Sequence, residues 1–312
     1  MGANDPIYSG TYTPMSDAIV AAVTKSIGLT LGDRSGGSVM ADPNIRAGYQ
    51  NKGNALGALA AKKVYIGWGA DKMASATEGN SFSVLTLASS SASVTLARKG
   101  MGRIVSDMAR MLEAWGITDW MNFARDTTWS WNQTVVDVFA ALFPSFSASG
   151  GATGTALTWA KIVAARNTLA IANVPPPYTL ITRPKDWGNV STDALTLGGA
   201  VQMSAETQRY IANPAPGFKG LFLDGELAVH TSQEIDASAG DHVSGMFGAG
   251  AIEWDCAMPA PSPATIPLLW TPMYGVEIAR TVLKSEDTVV SSTHVGASIG
   301  LNAAGIKILA LT

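Results

Sequence analysis

The segment Leu157–Trp187, LTWAKIVAARNTLAIANVPPPYTLITRPKDW, decides the fold. Its first half is helical. Thr155 or Thr158 can cap the start, and Ile162, Val163, Leu169 and Ala170 recur at helical spacing. Asn173 suits the C-terminal position, and Pro175, Pro176 and Pro177 cannot continue a helix, because proline lacks an N–H and has its φ fixed. Tyr178 to Thr182 (YTLIT) then reads as a buried strand, closed by Pro184. The order is helix, hard stop, short strand, second stop.

That order resembles the central segment of the major capsid proteins of tailed bacteriophages, the Hong Kong 97 fold. There a helix with a Leu/Ala face leads through a Pro-containing turn into a strand and a Pro-x-x-aromatic ending, here Pro184, Lys185, Asp186 and Trp187. The resemblance implies an α+β chain with an N-terminal arm, an extended β-hairpin loop, a long spine helix, and peripheral and axial domains.

Composition points toward assembly. Of 312 residues 47% are apolar, ample for a large core, yet only 14% are charged, against about 25% in an average soluble protein. A subunit that buries broad faces against neighbours needs fewer charges than a lone monomer. The net charge of −3 comes with no basic cluster of the kind that reads nucleic acid sequence. A shell that merely encloses DNA needs none. The lone cysteine, Cys256, rules out an internal disulfide framework and reads as a small buried side chain beside Trp254 and Met258. The N-terminus, MGANDPIYSG, has no basic region ahead of an apolar core, so it is not a secretory signal, and no apolar run is long enough to span a membrane. The short arm from Met1 leads to the expectation that no long scaffolding segment has been removed.

Along the chain, residues 1–57 form a Gly-, Asn- and Ser-rich arm with one helix over Ser16 to Ile27, capped by Ser16 and ended by Gly28. Residues 58–102 contain three strand-like runs, Val64 to Trp68, Phe82 to Leu87 and Val94 to Ala97. A polar, Gly-punctuated tip separates the first two, so the region reads as an extended two-stranded loop that must lie on something else. In the capsid family this position belongs to the extended loop that crosses a neighbouring subunit. The resemblance therefore implies inter-subunit contacts by Trp68, Asp71, Lys72 and Glu78.

From Arg103 the pattern turns helical. After Gly116, Thr118 can cap a helix whose apolar positions run from Trp120 to Leu142 and which Pro144 closes. At about 25 residues it would be roughly 37 Å long, which matches the family's spine helix. Trp120, Trp129 and Trp131 read as core packing. Strands are expected at Gly220 to Val229 and His242 to Trp254, and in the tail at Val276 to Leu283, Thr288 to Ile299 and Gly305 to Leu311, with turns marked by Asp287 and Gly305. The tail resembles the closing strands of capsid proteins. The implied division is arm 1–57, extended loop 58–102, spine helix and peripheral domain 103–154, axial domain 155–270, and return strands of the peripheral domain 271–312.

Catalytic motifs fail on inspection. Gly296 to Gly300 spell G-x-S-x-G, but no Asp, Glu or His follows Ser298, so the acid and base of a hydrolase triad have nowhere to come from. Gly32 to Gly37 is a turn, its resemblance to a protease nucleophile loop broken by Arg34. His230, His242 and His294 have no metal-ligand spacing and read as satisfied surface or core residues. Glu253 and Asp255, two apart on a strand, share one face, read as solvated. Some capsids of this fold cross-link a loop Lys to an Asn. Lys62, Lys63 and Lys72 lie in the right region and Asn302 is a conceivable acceptor, but no desolvated carboxylate can be placed to take the proton, so solvated lysines are the expectation.

The expectation is a non-enzymatic major capsid protein with no cofactor and no metal. It would self-assemble into pentamers and hexamers of an icosahedral phage head around double-stranded DNA. Its partners would be itself, scaffold, portal and decoration proteins, and enclosed DNA, with no membrane; assembly would take place in the host cytoplasm. An encapsulin-like nanocompartment shell is the alternative within the fold, and a soluble hydrolase the alternative from another class.

Overall fold

The computed structural model describes residues 42–50, 60–66, 89–106, 130–196, 217–223, 225–233, 235, 237–238, 241–257, 266–270, 275–281 and 286–311. The expected helix over Ser16 to Ile27, the first part of the spine helix and the strand Phe82 to Leu87 lie outside them.

Four α-helices are described: α1 (Pro43–Gly48), α2 (130–140), α3 (Trp159–Ile171) and α4 (Pro184–Thr196). Helix α3 matches the sequence reading closely. Thr158 is its N-cap, its side chain accepting from Lys161 N, and Asn173 stands at φ 59°, the left-handed conformation that ends a helix. One face buries Trp159, Ile162, Ala165 and Leu169. Strand β5 (Tyr178–Thr182) is buried along its whole length, as a central strand covered on both faces must be. Pro184 corrects the reading. It opens helix α4 instead of merely stopping the strand, because the first helical position has no use for an N–H and proline's φ is already helical.

Strand β5 organises a seven-stranded mixed sheet. The order is β4 (Ala148–Gly150), β14 (Gly305–Leu311), β9 (Asp241–Phe247), β5, β7 (Leu227–Thr231) and β6 (Gly217–Phe222), with β8 (Ala237–Ser238) attached to β9. The β5–β7 and β4–β14 pairs are parallel. Helices α3 and α4 pack beside each other on this sheet, with Trp159 and Trp187 both against Phe222. Phe143 and Phe146 stack on each other and fit over Gly245 and Gly305, where any Cβ would collide with the rings.

A second sheet of five strands runs β10 (Ile252–Ala257), β13 (Glu286–Ile299), β12 (Gly275–Thr281) and β11 (Ile266–Trp270), with β3 (Ala97–Ser106) on the other side of β13. A two-stranded hairpin, β1 (Ala60–Ile66) with β2 (Ser89–Thr95), projects from it in the register Ala60↔Thr95 to Ile66↔Ser89.

Several boundaries differ from the sequence reading. Arg103 to Ser106 continue β3 and are not helical, since pairing with β13 over ten residue pairs outweighs local pattern. Gly220 to Val229 is a hairpin and not one strand, turned by Leu223 at φ 51° and Gly225 at φ 87°. His242 to Trp254 divides at Gly250 (φ 80°) into β9 and β10, one in each sheet. The three tail strands fall as expected, except that Asp287 and Gly305, read as turns, are paired within β13 and β14, and the last strand joins the seven-stranded sheet beside β9.

Candidate functional site

The residues implied as neighbour contacts, Trp68, Asp71, Lys72 and Glu78, lie outside the described residues, in the segment joining β1 to β2. What is described is how that hairpin is rooted. Val94 and Leu96 pack with Ala257 in a small apolar cluster of their own. Thr95 O passes over Gly296 so closely that an added Cβ would sit 2.0 Å from it. Only glycine allows this crossing. G296V should therefore leave the seven-stranded sheet intact while displacing the hairpin root, seen as raised amide exchange confined to β2 and the adjoining part of β13; unchanged exchange there would contradict the close crossing.

The arm was expected to stay out of the core, and residues 42–50 do not. They join the two sheets. Asp42 caps α1, its Oδ1 accepting from Asn44 N (2.9 Å), Ile45 N (3.3 Å) and Thr179 Oγ1 (2.7 Å), while Oδ2 lies 3.1 Å from His230 Nε2. Asn44 Nδ2 donates to Pro177 O (2.7 Å) and Thr179 Oγ1 (3.0 Å). These partners belong to the seven-stranded sheet and its approaches. From the five-stranded sheet, Trp254 Nε1 donates to Ile45 O (2.7 Å), Gln50 N donates to Trp254 O (3.0 Å), and Gln50 Nε2 donates to Glu253 Oε2 (3.2 Å). Gly48 fits under Ile252 O, where a Cβ would stand 2.4 Å away. The signal that could have revealed this segment is Asp42-Pro43, an N-cap followed by proline at the first helical position.

Burial revises the reading of the carboxylates. Glu253 and Asp255 are fully buried, not solvated, because β10 is covered on both faces. Cys256 beside them is buried as expected, and burial pushes its thiol up to about 12, with Asp255 adding to the shift and a Tyr49 hydrogen bond opposing it. A thiol held neutral is a packing group, not a nucleophile.

His230 and His242 are both buried. His242, on β9, hydrogen-bonds through Nε2 to the Arg183 guanidinium, and its Nδ1 is 3.4 Å from Asp186 Oδ2 in the first turn of α4. Arg183 can only donate, so Nε2 accepts and Nδ1 carries the proton toward Asp186. Burial raises the Asp186 carboxyl, against the pull of His242, Arg183 and Lys185, and lowers the His242 imidazole, against the pull of Asp186. A lowered histidine binds its proton less readily in the folded chain than in the unfolded one. Its contribution to stability is present above about 6.5 and is lost as pH falls through the folded value. The raised Asp186 carboxyl works the other way, gaining stability as pH falls, so the test is the difference between proteins: from pH 7.5 to pH 5.5 the parent should lose more melting temperature than H242Q, which keeps an acceptor and a donor without titrating. Equal pH dependence in both proteins would contradict this assignment.

The G-x-S-x-G pentad lies at the end of β13, where Ser298 pairs with Glu253; a nucleophile elbow needs a strand-to-helix turn. Asn302, the conceivable cross-link acceptor, uses its Oδ1 to accept from Ser147 N at 2.8 Å. Among the described residues no group of three or more His, Cys, Asp or Glu could hold a metal ion, and no described helix is long and apolar enough to cross a membrane.

No family model matches the sequence, and no curated protein matches it. Solved structures do. The chain is similar to the head structure of Helicobacter pylori bacteriophage KHP40, at 11% identity over 81% of this chain and 84% of that one, with a TM-score of 0.53. It is similar to the capsid of Ralstonia phage GP4, at 12% identity over 81% and 83%, with a TM-score of 0.51. It is also similar to the capsid of Myoviridae phage XM1, at 12% identity over 86% and 91%, with a TM-score of 0.50. These likenesses extend over four-fifths or more of this chain, and this protein has the Hong Kong 97 capsid fold.

Proposed function

We propose that the protein is a major capsid protein, a structural subunit that assembles with copies of itself into pentamers and hexamers of an icosahedral phage head around double-stranded DNA. The observation that carries this reading is the likeness to phage head and capsid structures over four-fifths or more of both chains. The low charge content supports it independently, since subunit faces covered by neighbours need little solvation.

In this reading the β1–β2 hairpin and its connecting segment reach a neighbouring subunit through Trp68, Asp71, Lys72 and Glu78. The arm and hairpin strap neighbours, the spine helix braces the peripheral domain built on the five-stranded sheet, and the domain built on the seven-stranded sheet surrounds the capsomer axis. Strength comes from total buried area and not from one site. The protein is not an enzyme, resides in the virion, and needs no cofactor; scaffold, portal and decoration proteins are its further partners. Sedimentation velocity of the purified chain, alone and with a scaffold partner, tests this. Particles of shell size support it, and a chain that stays monomeric or dimeric in both conditions refutes it.

A further inference from the structure

His242 in β9 sits among charged groups from three neighbouring elements. At the end of β5 the Arg183 guanidinium donates to Nε2. In the first turn of α4, Asp186 places Oδ2 3.4 Å from Nδ1, and Lys185 stands exposed beside it. Lys161 on α3 acts on Asp186 from the other side, its Nζ donating to Thr155 O at 3.0 Å. Asp241 precedes His242 in β9 and accepts from Gly154 N at 2.9 Å. The flanking strands β8 and β14 set Ala237 and Ala310 opposite His242, so neither places a charge there.

Asp186 and His242 are fully buried, whereas Arg183 is half-buried and its long side chain has a route to water. Neither oxygen of Asp186 accepts a hydrogen bond, and Nδ1 of His242 makes none. Buried acceptors left without a donor call for an explanation. Here the donor is at hand, and the bond to Arg183 pins the ring that carries it. A guanidinium only donates, and so does an imidazolium. A proton placed on Nε2 therefore breaks the Arg183 bond. It also frees the ring to turn Nδ1–H onto Asp186, a charge-assisted pair that satisfies an orphaned oxygen. The other seat for that proton, Asp186 itself, offers no such exchange, because it leaves Nδ1–H facing a neutral carboxyl.

We propose that Arg183, His242 and Asp186 form a proton-operated latch where α4 meets the seven-stranded sheet: on taking one proton from solvent at Nε2, His242 releases Arg183 to water and closes on Asp186. Acid then bares a second cation beside Lys185 at the start of α4, while α4 stays joined to β9 through the new ion pair. Burial lowers the His242 imidazole, Asp186 pulls the other way, and Arg183 and Lys185 add to the lowering. The exchange therefore falls on the acid side of an ordinary histidine. The latch is a property of the single chain and stands independently of the shell-forming reading.

The test is the pH dependence of Cε1–H exchange at His242, read by mass spectrometry on the full chain. Protection of the Arg183 Nε–H, relative to free arginine at the same pH, is followed by NMR of arginine-labelled chain. Arg183 should be protected at neutral pH and lose that protection through the His242 midpoint. R183M, which removes the charge and the donor, should raise the midpoint by about one pH unit, and D186N should lower it by about as much. R183K, which keeps both charge and donor, should stay close to the parent. A His242 that remains neutral to about pH 4.5, or a midpoint that R183M leaves unchanged, would overturn the latch. Should R183M not fold, the parent decides alone: Arg183 protection that persists below the His242 midpoint overturns it equally.

Discussion

Trp254→Ala is expected to cost about 3–5 kcal/mol of folding stability, the range for removing a large buried aromatic ring. Trp254 is fully buried, with ring centroids 4.9 Å from Tyr49, 5.8 Å from Phe139 and 6.4 Å from Trp131. It thus joins the N-terminal segment, helix α2 and the five-stranded sheet at one point, and no neighbour can close the resulting cavity without moving one of those elements. Its indole also holds Ile45 O, so W254F, which keeps most of the apolar volume, should still cost about 1–3 kcal/mol for the unpaired carbonyl. Urea unfolding checks both. A loss below about 1 kcal/mol for W254A would mean that this junction does not hold the chain together.

The second large effect concerns the other end of the same staple. Asp42→Ala removes the acceptor for two backbone amides of α1, the Thr179 hydroxyl and the His230 ring. Asp42 and His230 are each only 3% exposed, so water cannot replace the lost partner, and the expected cost is about 3–5 kcal/mol. D42N keeps one oxygen for the cap and places an amide toward His230 Nε2, which can accept in its other tautomer. It should lose about 1–2 kcal/mol. Equal losses for D42A and D42N would show that charge, and not hydrogen-bond satisfaction, holds the segment. Neither variant touches the outer surfaces implied in assembly, so any defect in particle formation should track the loss of stability.

What was legible in the sequence follows from where the information is local. Helix α3, strand β5 and the three tail strands are specified by caps, proline stops and apolar runs within a few residues of themselves, and they fall where those signals place them. Pro184 misled because proline both ends strands and starts helices. Strand β2, SSSASVT, has little strand propensity of its own; its partner β1 supplies the ladder. The division of the chain between β9 and β10 depends on which sheet each joins, which only distant partners decide.

The candidate site was less legible than the fold. Docking of residues 42–50 depends on contacts with Pro177, Thr179, His230 and Trp254, more than a hundred residues away. Glu253 and Asp255 looked solvated because alternating carboxylates are the usual mark of an exposed face; covering β10 on both sides removes that meaning. The histidines were read as satisfied residues; His230 has Asp42 beside it, while His242 uses Nε2 on Arg183 and leaves its buried Nδ1 without a hydrogen bond, 3.4 Å from Asp186 Oδ2. The implied neighbour contacts at Trp68, Asp71, Lys72 and Glu78 lie outside the described residues.

Whether this chain builds a shell is decided by negative-stain electron microscopy of the purified protein, alone and with a scaffold partner. Closed shells, or rings of five and six subunits, are the expected result. A homogeneous field of monomers or dimers that persists with the scaffold present would contradict it.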